Sequence, residues 1–511
     1  MKLNLTDQEI AAKALEHLER VVRIDSASDE TSDTIPSTVG QKHLAEAVGA
    51  FFAELGASVE KDGFANVLAT FPGRGVGVSK APLALMVHLD TARGTNAIDG
   101  LTVVESWDGD VLRFAANDRL QVSTAVYPDL SHYVGHDVVH GRGDAPFGLD
   151  DKLGLTHLMT LAWLLRETPE VAHPPLILVG RPDEEIGRMA AVEGLAGVLA
   201  ARGVSLGYTV DGIEPFEINV ENFNAAHAKI FFEGEASPVK GDGYTIHIDG
   251  VNTHGATAKA EGHRGAVRLA AEIVEAAAGA VTVSAFASDE TRDCDGVLHC
   301  TTTLSQAALV ALVGGIIEPH GPRGAGFTVS PWDAPAAFDS AANDALAFVA
   351  RFIDSAPGFV LLAEDSDGRD GYTQPYRLVP DGGRMRLDVR IRDFDPAMLA
   401  RRRAHVRAMA GHRDRELVDQ YVNMGPQLAS RPELVRWASV AAATLGITPR
   451  VSPIRGGTGV DPFLDRGVAI GNLGTGYFAP ESEKELTSLQ SMVDHAKWLL
   501  ALVNHAATTN S

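Results

Sequence analysis

Pro82-Leu83-Ala84-Leu85-Met86-Val87 carries no polar side chain and runs directly into His88-Leu89-Asp90. A short apolar run of this kind reads as a strand buried on both faces, as strands of parallel sheets are. Two further runs repeat the pattern. Pro175-Leu176-Ile177-Leu178-Val179 is followed by Asp183-Glu184-Glu185, and Leu206-Gly207-Tyr208-Thr209-Val210 ends in Asp211. Phe147-Gly148-Leu149 leads instead into Asp150-Asp151-Lys152, which opens a helix predicted over Asp151–Leu165. In an open α/β sheet, ligand groups gather at the carboxyl ends of the strands. A histidine and several carboxylates converging there cannot all stay ionised without a cation among them. A pair of divalent metal ions is the simplest cation to supply.

Each piece alone is weaker than the set. His88-x-Asp90 by itself reads as a structural histidine beside an acid, and acids at a helix start are favoured by the helix dipole. Asp183-Glu184-Glu185 says more, because three like charges at the end of a buried strand repel. Adjacent glutamates also suit a division of labour, one holding metal and its neighbour free to accept a proton.

The chain has 511 residues and a net charge of −23. That length exceeds one ordinary domain, and that charge makes nucleic acid and anionic membrane poor partners. Two cysteines, Cys294 and Cys300, are too few for a disulfide framework and fit a reducing compartment. Met1–Val22 reads as an amphipathic helix rather than a signal peptide, and the longest apolar run, Ala307–Ile317, is too short to span a bilayer. A cytoplasmic enzyme is expected. Gly456-Gly457-Thr458-Gly459 lacks the lysine of a phosphate loop and reads as a tight turn lining a cleft.

The βα alternation up to Asp211 predicts a mostly parallel sheet covered by helices. Ser37 or Thr38 is expected to cap a helix running to Leu55. After Gly212 the pattern changes: alternating segments over Glu217–Gly234, Thr245–Gly250 and Arg384–Arg392, with helices over Ala258–Ala278 and Pro396–Met409, describe an α+β domain inserted into the first. The expected division is 1–214 and 425–511 for the catalytic domain and 215–424 for the insert. Within the insert, the Ala-, Gly- and Pro-rich stretch 286–364 fits neither domain neatly and reads as an added segment.

The order of these motifs resembles peptidase T, the tripeptide aminopeptidase branch of a co-catalytic zinc family that includes carboxypeptidase G, diaminopimelate desuccinylase and aminoacylases. His88-Leu89-Asp90-Thr91, Gly148-Leu149-Asp150-Asp151-Lys152, Pro182-Asp183-Glu184-Glu185-Ile186-Gly187 and Thr209-Val210-Asp211-Gly212 carry the likeness in the first domain. Glu221-Asn222-Phe223-Asn224, His254 with Thr257-Ala258-Lys259, Ile391-Arg392-Asp393-Phe394-Asp395, Tyr421-Val422-Asn423-Met424 and Arg455-Gly456-Gly457-Thr458 extend it over nearly the whole chain.

The resemblance implies two divalent ions, zinc by family habit. His88, Asp150 and Asp211 would hold the first, and Asp150 and Glu185 the second, across a cis Asp150–Asp151 peptide. Glu184 would be the general base, Asp90 would orient His88, and His254 and Arg392 on the inserted lid would bind the substrate carboxylate or the oxyanion. The family's last ligand, a histidine four residues before a glutamate, is here Glu481, ahead of Glu485. A second site of three carboxylates is harder than usual and should favour Mn²⁺, Mg²⁺ or Co²⁺ more than an imidazole would. The implied substrate is a small peptide. An N-acyl amino acid deacylase or carboxypeptidase-like amidase is the alternative on the same chemistry, and a silent binding protein is the third reading. The insert also carries the dimer contact in relatives, and monomer and homodimer both stay open.

Overall fold

The computed structural model describes residues 4–335 and 337–509. Its largest sheet has eight strands in the order Ser58–Lys61, Val67–Phe71, Leu176–Arg181, Leu83–His88, Leu206–Gly212, Ala469–Gly474, Glu217–Asn219, Arg450–Val451. Leu83–His88 runs parallel to both of its neighbours, and Ala469–Gly474 runs parallel to Leu206–Gly212. Antiparallel pairs follow on both sides, and Arg450–Val451 closes one edge parallel to Glu217–Asn219. Every residue of Leu83–His88 and of Leu176–Arg181 is buried, which is why neither strand shows alternation in the sequence.

Helices cover this sheet. Asp7–Val22, Leu149–Glu167 and Leu489–Thr508 pack on one another, with Leu149–Glu167 against the central strands. The first helix begins at Asp7, not Met1, because Thr6 and Glu9 form a capping box there; residues 1–3 lie outside the described residues. Val39–Glu54 starts after Thr38, yet no side chain caps it. Thr38 donates its hydroxyl to Ala27 O instead, and the Ser37 hydroxyl is taken by Asp183.

A second core joins two four-stranded antiparallel sheets. One runs Tyr372–Asp381, Arg384–Asp393, Asn224–Phe232, Arg415–Tyr421, and the other Val281–Ser288, Gly296–Thr302, Asp242–Asp249, Gly326–Pro331. Much of 286–364 therefore belongs to this core: Leu298, Cys300, Leu309, Val313 and Leu346 are buried in it. The helix expected over Ala258–Ala278 is two, Ala258–Glu261 and Ala266–Ala276, because Gly262 turns the chain at φ +69°. The strand expected over Glu217–Gly234 is likewise split between the two cores. The chain enters and leaves the second core through one neck. There Asn222 Oδ1 accepts from Met424 N (2.6 Å) and Asn224 Oδ1 from Asn423 N (3.0 Å).

A third unit went unread in the sequence. Thr102–Val104, Val138–His140 and Leu486–Ser488 form a small sheet over Trp107, Phe114, Tyr127 and Tyr133. No helix among the described residues is long and apolar enough to cross a membrane.

Three histidines are built into the main core as neutral groups. Burial holds His17 and His157 down to about 4 and His495 down to about 3. His495 stacks on His157 (5.1 Å between centroids), and its Nε2 accepts from Phe216 N at 3.3 Å. The unfolded chain protonates these rings near 6.5, so their contribution is intact above that pH and is lost as pH falls through about 4. Each is worth on the order of 3 kcal/mol when the loss is complete. Urea unfolding of the chelator-treated protein at pH 7, 6, 5 and 4 should show a steep fall across that interval, and a flat midpoint would contradict the neutral buried state.

Candidate metal centre

The carboxyl ends of three adjacent parallel strands meet at one edge of the large sheet. Leu83–His88 delivers His88, Leu176–Arg181 delivers the Asp183-Glu184-Glu185 turn, and Leu206–Gly212 delivers Asp211. Across from them the Leu149–Glu167 helix begins with a non-helical turn at Asp150 and Asp151, whose shared peptide is cis. His88 Nε2 lies 2.9 Å from Asp150 Oδ1 and 3.3 Å from Asp211 Oδ1. Two groups of donor atoms are compact enough to hold an ion: His88, Asp150 and Glu185, and His88, Asp151 and Asp211.

The surrounding residues fix this arrangement. His88 Nδ1 donates to the main-chain oxygen of Asp90 at 2.8 Å, while the Asp90 carboxylate stands 3.5 Å from the ring. That carboxylate accepts instead from Glu184 N (2.9 Å) and Glu185 N (3.1 Å), so Asp90 ties the histidine strand to the two glutamates. Asp183 has a positive φ of 53°, uncommon for a residue with a side chain. Its carboxylate is held by Ser37 N at 2.9 Å and Gln41 Nε2 at 2.7 Å, so it shapes the turn and does not face the cluster. The Asp151 carboxylate accepts from His88 N (3.1 Å), and Tyr477 OH donates to Asp150 Oδ2 (2.9 Å).

Charge is out of balance in the protein alone. Burial, with Glu481 and Asp150 close by, pushes the Glu185 carboxyl well above its usual range, and its Oε1 is buried without a hydrogen-bond partner. Burial outweighs the neighbouring His88 and, with Asp150 and Glu184 adding to it, pushes Asp211 up to about 7. An orphaned buried carboxylate oxygen within an oxygen-rich donor set with one imidazole is what divalent cations fit, and the two donor groups adjoin at their shared His88.

Glu184 belongs to neither group. It lines the cleft, with Oε1 3.5 Å from the buried Arg181 guanidinium. Arg181 in turn donates to Thr458 O, and Gly459 (φ +56°) closes over the pair. A Cβ at Gly459 would come within 2.4 Å of Arg181 Nη1 and 2.9 Å of Glu184 Oε1, so only glycine fits.

Glu481 stands outside both compact groups but faces them. Its Oε1 is 3.8 Å from His254 Nε2, its amide donates to Glu485 Oε1 (3.1 Å), and its carbonyl accepts from Asn252 of the second core (2.9 Å). Arg392 also lines the cleft, with Nη1 donating to Ala226 O and Ile391 O, both at 3.1 Å. The structure thus brings Asp150, Glu184, Glu185, Asp211, His254, Arg392 and Glu481 around a single cleft of about 660 Å³, with His88 and Asp90 buried behind them. Sequence reasoning missed Arg181 and Tyr477, and it gave Glu485 as the acid after Glu481 without its hold on the Phe147–Leu149 amides. Only Arg181 carried a signal, as a lone cation closing an apolar strand.

No family model matches the chain. Two curated relatives align over nearly full length. Peptidase T of Geobacillus thermodenitrificans is 26% identical over 507 residues, covering 96% of this chain and 97% of the relative. Peptidase T of Exiguobacterium sibiricum is 27% identical over 510 residues, covering 96% and 98%. Among solved structures, a tripeptidase from Staphylococcus aureus superposes with a TM-score of 0.57 at 15% identity, covering 99% of this chain and all (100%) of that one. At that identity the superposition speaks for the fold. Likeness in sequence along almost the whole length, the shared fold and a donor set that takes divalent cations agree, and the chain is a peptidase T-like metallopeptidase, a hydrolytic enzyme.

Proposed function

We propose that the protein is an aminopeptidase that releases the N-terminal residue of short peptides, tripeptides first, using two divalent ions. The observation that carries this reading is the placement of Glu184: in the cleft, beside the donor groups, and outside both of them. His88, Asp150 and Asp211 would hold one ion, and Asp150, Glu185 and Glu481 the other. When bound, the ions polarise the scissile carbonyl and make the attacking water more acidic. Glu184, aligned by Arg181, takes a proton from that water and returns it to the leaving amine. Asp90 keeps the His88 ring and the Glu184–Glu185 backbone in register. His254 and Arg392 reach the cleft from the inserted domain, which we place at 215–424 between catalytic segments 1–214 and 425–511. They would meet the oxyanion or the substrate carboxylate. His254 Nε2 stands 3.8 Å from Glu481 Oε1, which supports a site served by the chain's own insert, with or without a homodimer. Free, buried Cys294 and Cys300 suit a cytoplasmic location.

A panel of tripeptides, free and N-acetylated, tested with the metal-stripped protein reloaded with Zn²⁺, Mn²⁺, Co²⁺ or Mg²⁺, decides the activity. Cleavage of the free-amine peptides alone supports the aminopeptidase. Cleavage of the acetylated ones alone moves the reading to an N-acyl amino acid deacylase.

Zinc is the ion we assign to the His88 site, and Glu481 makes its own site the harder one. Glu481→His should raise the preference for Zn²⁺ over Mn²⁺ by about tenfold or more, read as relative binding constants in a competition measured by mass spectrometry. An unchanged preference would remove Glu481 from the ligand set.

A further inference from the structure

Three guanidiniums converge at the mouth of the cleft where the two cores meet. Arg93 comes from the loop after Asp90, and Arg377 and Arg390 come from neighbouring strands of the second core. None of them pairs within 4 Å with Asp150, Glu184, Glu185, Asp211 or Glu481 among the described residues. They share two other carboxylates. Glu30 Oε1 accepts from Arg93 (2.9 Å) and from Arg377 (3.1 Å). Asp293, at the tip between the Val281–Ser288 and Gly296–Thr302 strands, lies 3.3 Å from Arg93, 3.7 Å from Arg377 and 3.5 Å from Arg390. Asp293 is therefore stretched over three cations: it accepts only long hydrogen bonds from Arg93 and Arg390 and stands beyond hydrogen-bond reach of Arg377 Nε.

The balance is one carboxylate short. Arg377 Nε is a buried donor without an acceptor, a group that ordinarily finds a partner. Arg390 is held ready: it lies 3.9 Å over the Tyr376 ring, which fixes the guanidinium plane. Burial opposes its charge, but Tyr376, Asp293, Tyr372 and Glu481 hold it above the ordinary guanidinium range. The tip itself is pinned, since Arg292 bonds Asp295 (2.7 Å) and reaches Glu483 (3.3 Å), so only the Asp293 side chain needs to move to admit another anion.

We propose that Arg93, Arg377 and Arg390 form a carboxylate-binding subsite of the cleft that selects peptides bearing an anionic group away from the scissile bond. This inference rests on the peptidase reading and adds the substrate's charge to it. The carboxylate comes from an acidic side chain or from the peptide's own C-terminus. Forked guanidiniums suit either, through paired N–H donors.

The test uses the metal-loaded enzyme and matched peptides: Ala-Ala-Glu against Ala-Ala-Gln, Ala-Glu-Ala against Ala-Gln-Ala, and Ala-Ala-Ala against its C-terminal amide. The wild type should favour one or more carboxylate-bearing members by about tenfold in kcat/KM, through KM. Arg390→Met and Arg377→Met should each erase that preference by lowering turnover of the anionic member alone, and the pair they affect names the source of the carboxylate. Asp293→Asn should strengthen the preference. Equal loss on both members of every pair, or no preference in the wild type, overturns the subsite. If no peptide is cleaved, the aminopeptidase reading fails by itself. Calorimetric binding of the same pairs then still decides the subsite, since carboxylate-dependent binding lost in Arg390→Met upholds it and charge-independent binding, or none, refutes it.

Discussion

Glu184→Gln should lower kcat on a tripeptide by about a hundred- to ten-thousand-fold while KM and metal content stay close to wild type. The substitution keeps the shape of the side chain and removes its ability to take a proton. Because Glu184 lies outside both donor groups and is held by the Asp90 carboxylate through its main chain, the ions should not be lost with the base. Metal analysis of the purified variant separates the two effects. Turnover within tenfold of wild type would mean that another group accepts the proton, and loss of an ion would make Glu184 a ligand.

Glu485→Ala should be the most damaging single change to the scaffold of the site. Glu485 Oε2 accepts from the amides of Phe147, Gly148 and Leu149 at 2.9, 2.9 and 3.3 Å, and Oε1 accepts from Glu481 N at 3.1 Å. One buried carboxylate thus holds the start of the Asp150 helix and the Glu481 loop together, at a helix end where negative charge is favoured. Alanine leaves four donors without an acceptor in a dry interior, on the order of 3–5 kcal/mol. Scanning calorimetry of the metal-free protein should show a large drop in Tm, and the variant should retain less metal than wild type. Glu485→Gln, which keeps one carbonyl oxygen, should recover part of the loss. An unchanged Tm would mean that those amides find other partners.

The catalytic sheet was legible because its three central strands are buried on both faces, which leaves runs such as Leu83–Val87 with nothing polar in them. The histidine and acids at the ends of such runs stand out, which made His88, Glu184, Glu185 and Asp211 legible, while Asp150 was legible only at its helix start. Asp90 was named for its neighbour His88, 3.5 Å away, but its acid also reaches main-chain amides ninety-odd positions away, which no local pattern encodes. The Thr102–His140 region stayed hidden because its core is a scatter of aromatics between turns, without a period. The break at Gly262 was overrun by the alanine-rich periodicity on either side. Lys484 was unreadable for a different reason. In sequence it is one charge in Glu481-Ser482-Glu483-Lys484, a surface-like string, yet it is fully buried, with its ammonium 2.5 Å from Asn252 O and 3.6 Å from Glu261. Only the second core, folded against the first, supplies those partners, and the Arg377–Glu30 and Arg93–Asp293 pairs likewise form only when the two meet.

The neck at Asn222 and Asn423 has a consequence for synthesis. The ribosome makes Leu206–Gly212 and then the whole second core before it reaches Ala469–Gly474, the strand that lies between Leu206–Gly212 and Glu217–Asn219 in the finished sheet. The inserted domain has all its strands in one continuous stretch and can fold as it emerges. The catalytic sheet cannot, because its gap is filled only after the insert is complete. From the completion of Arg415–Tyr421 until Ala469–Gly474 emerges, the newborn protein is a finished second core on an unfinished sheet, with an open strand edge beside Asp211. An exposed edge of that kind is what aggregation exploits. The insert's early folding brings the two ends of the gap together at the neck and shortens the loop that the late strand has to close.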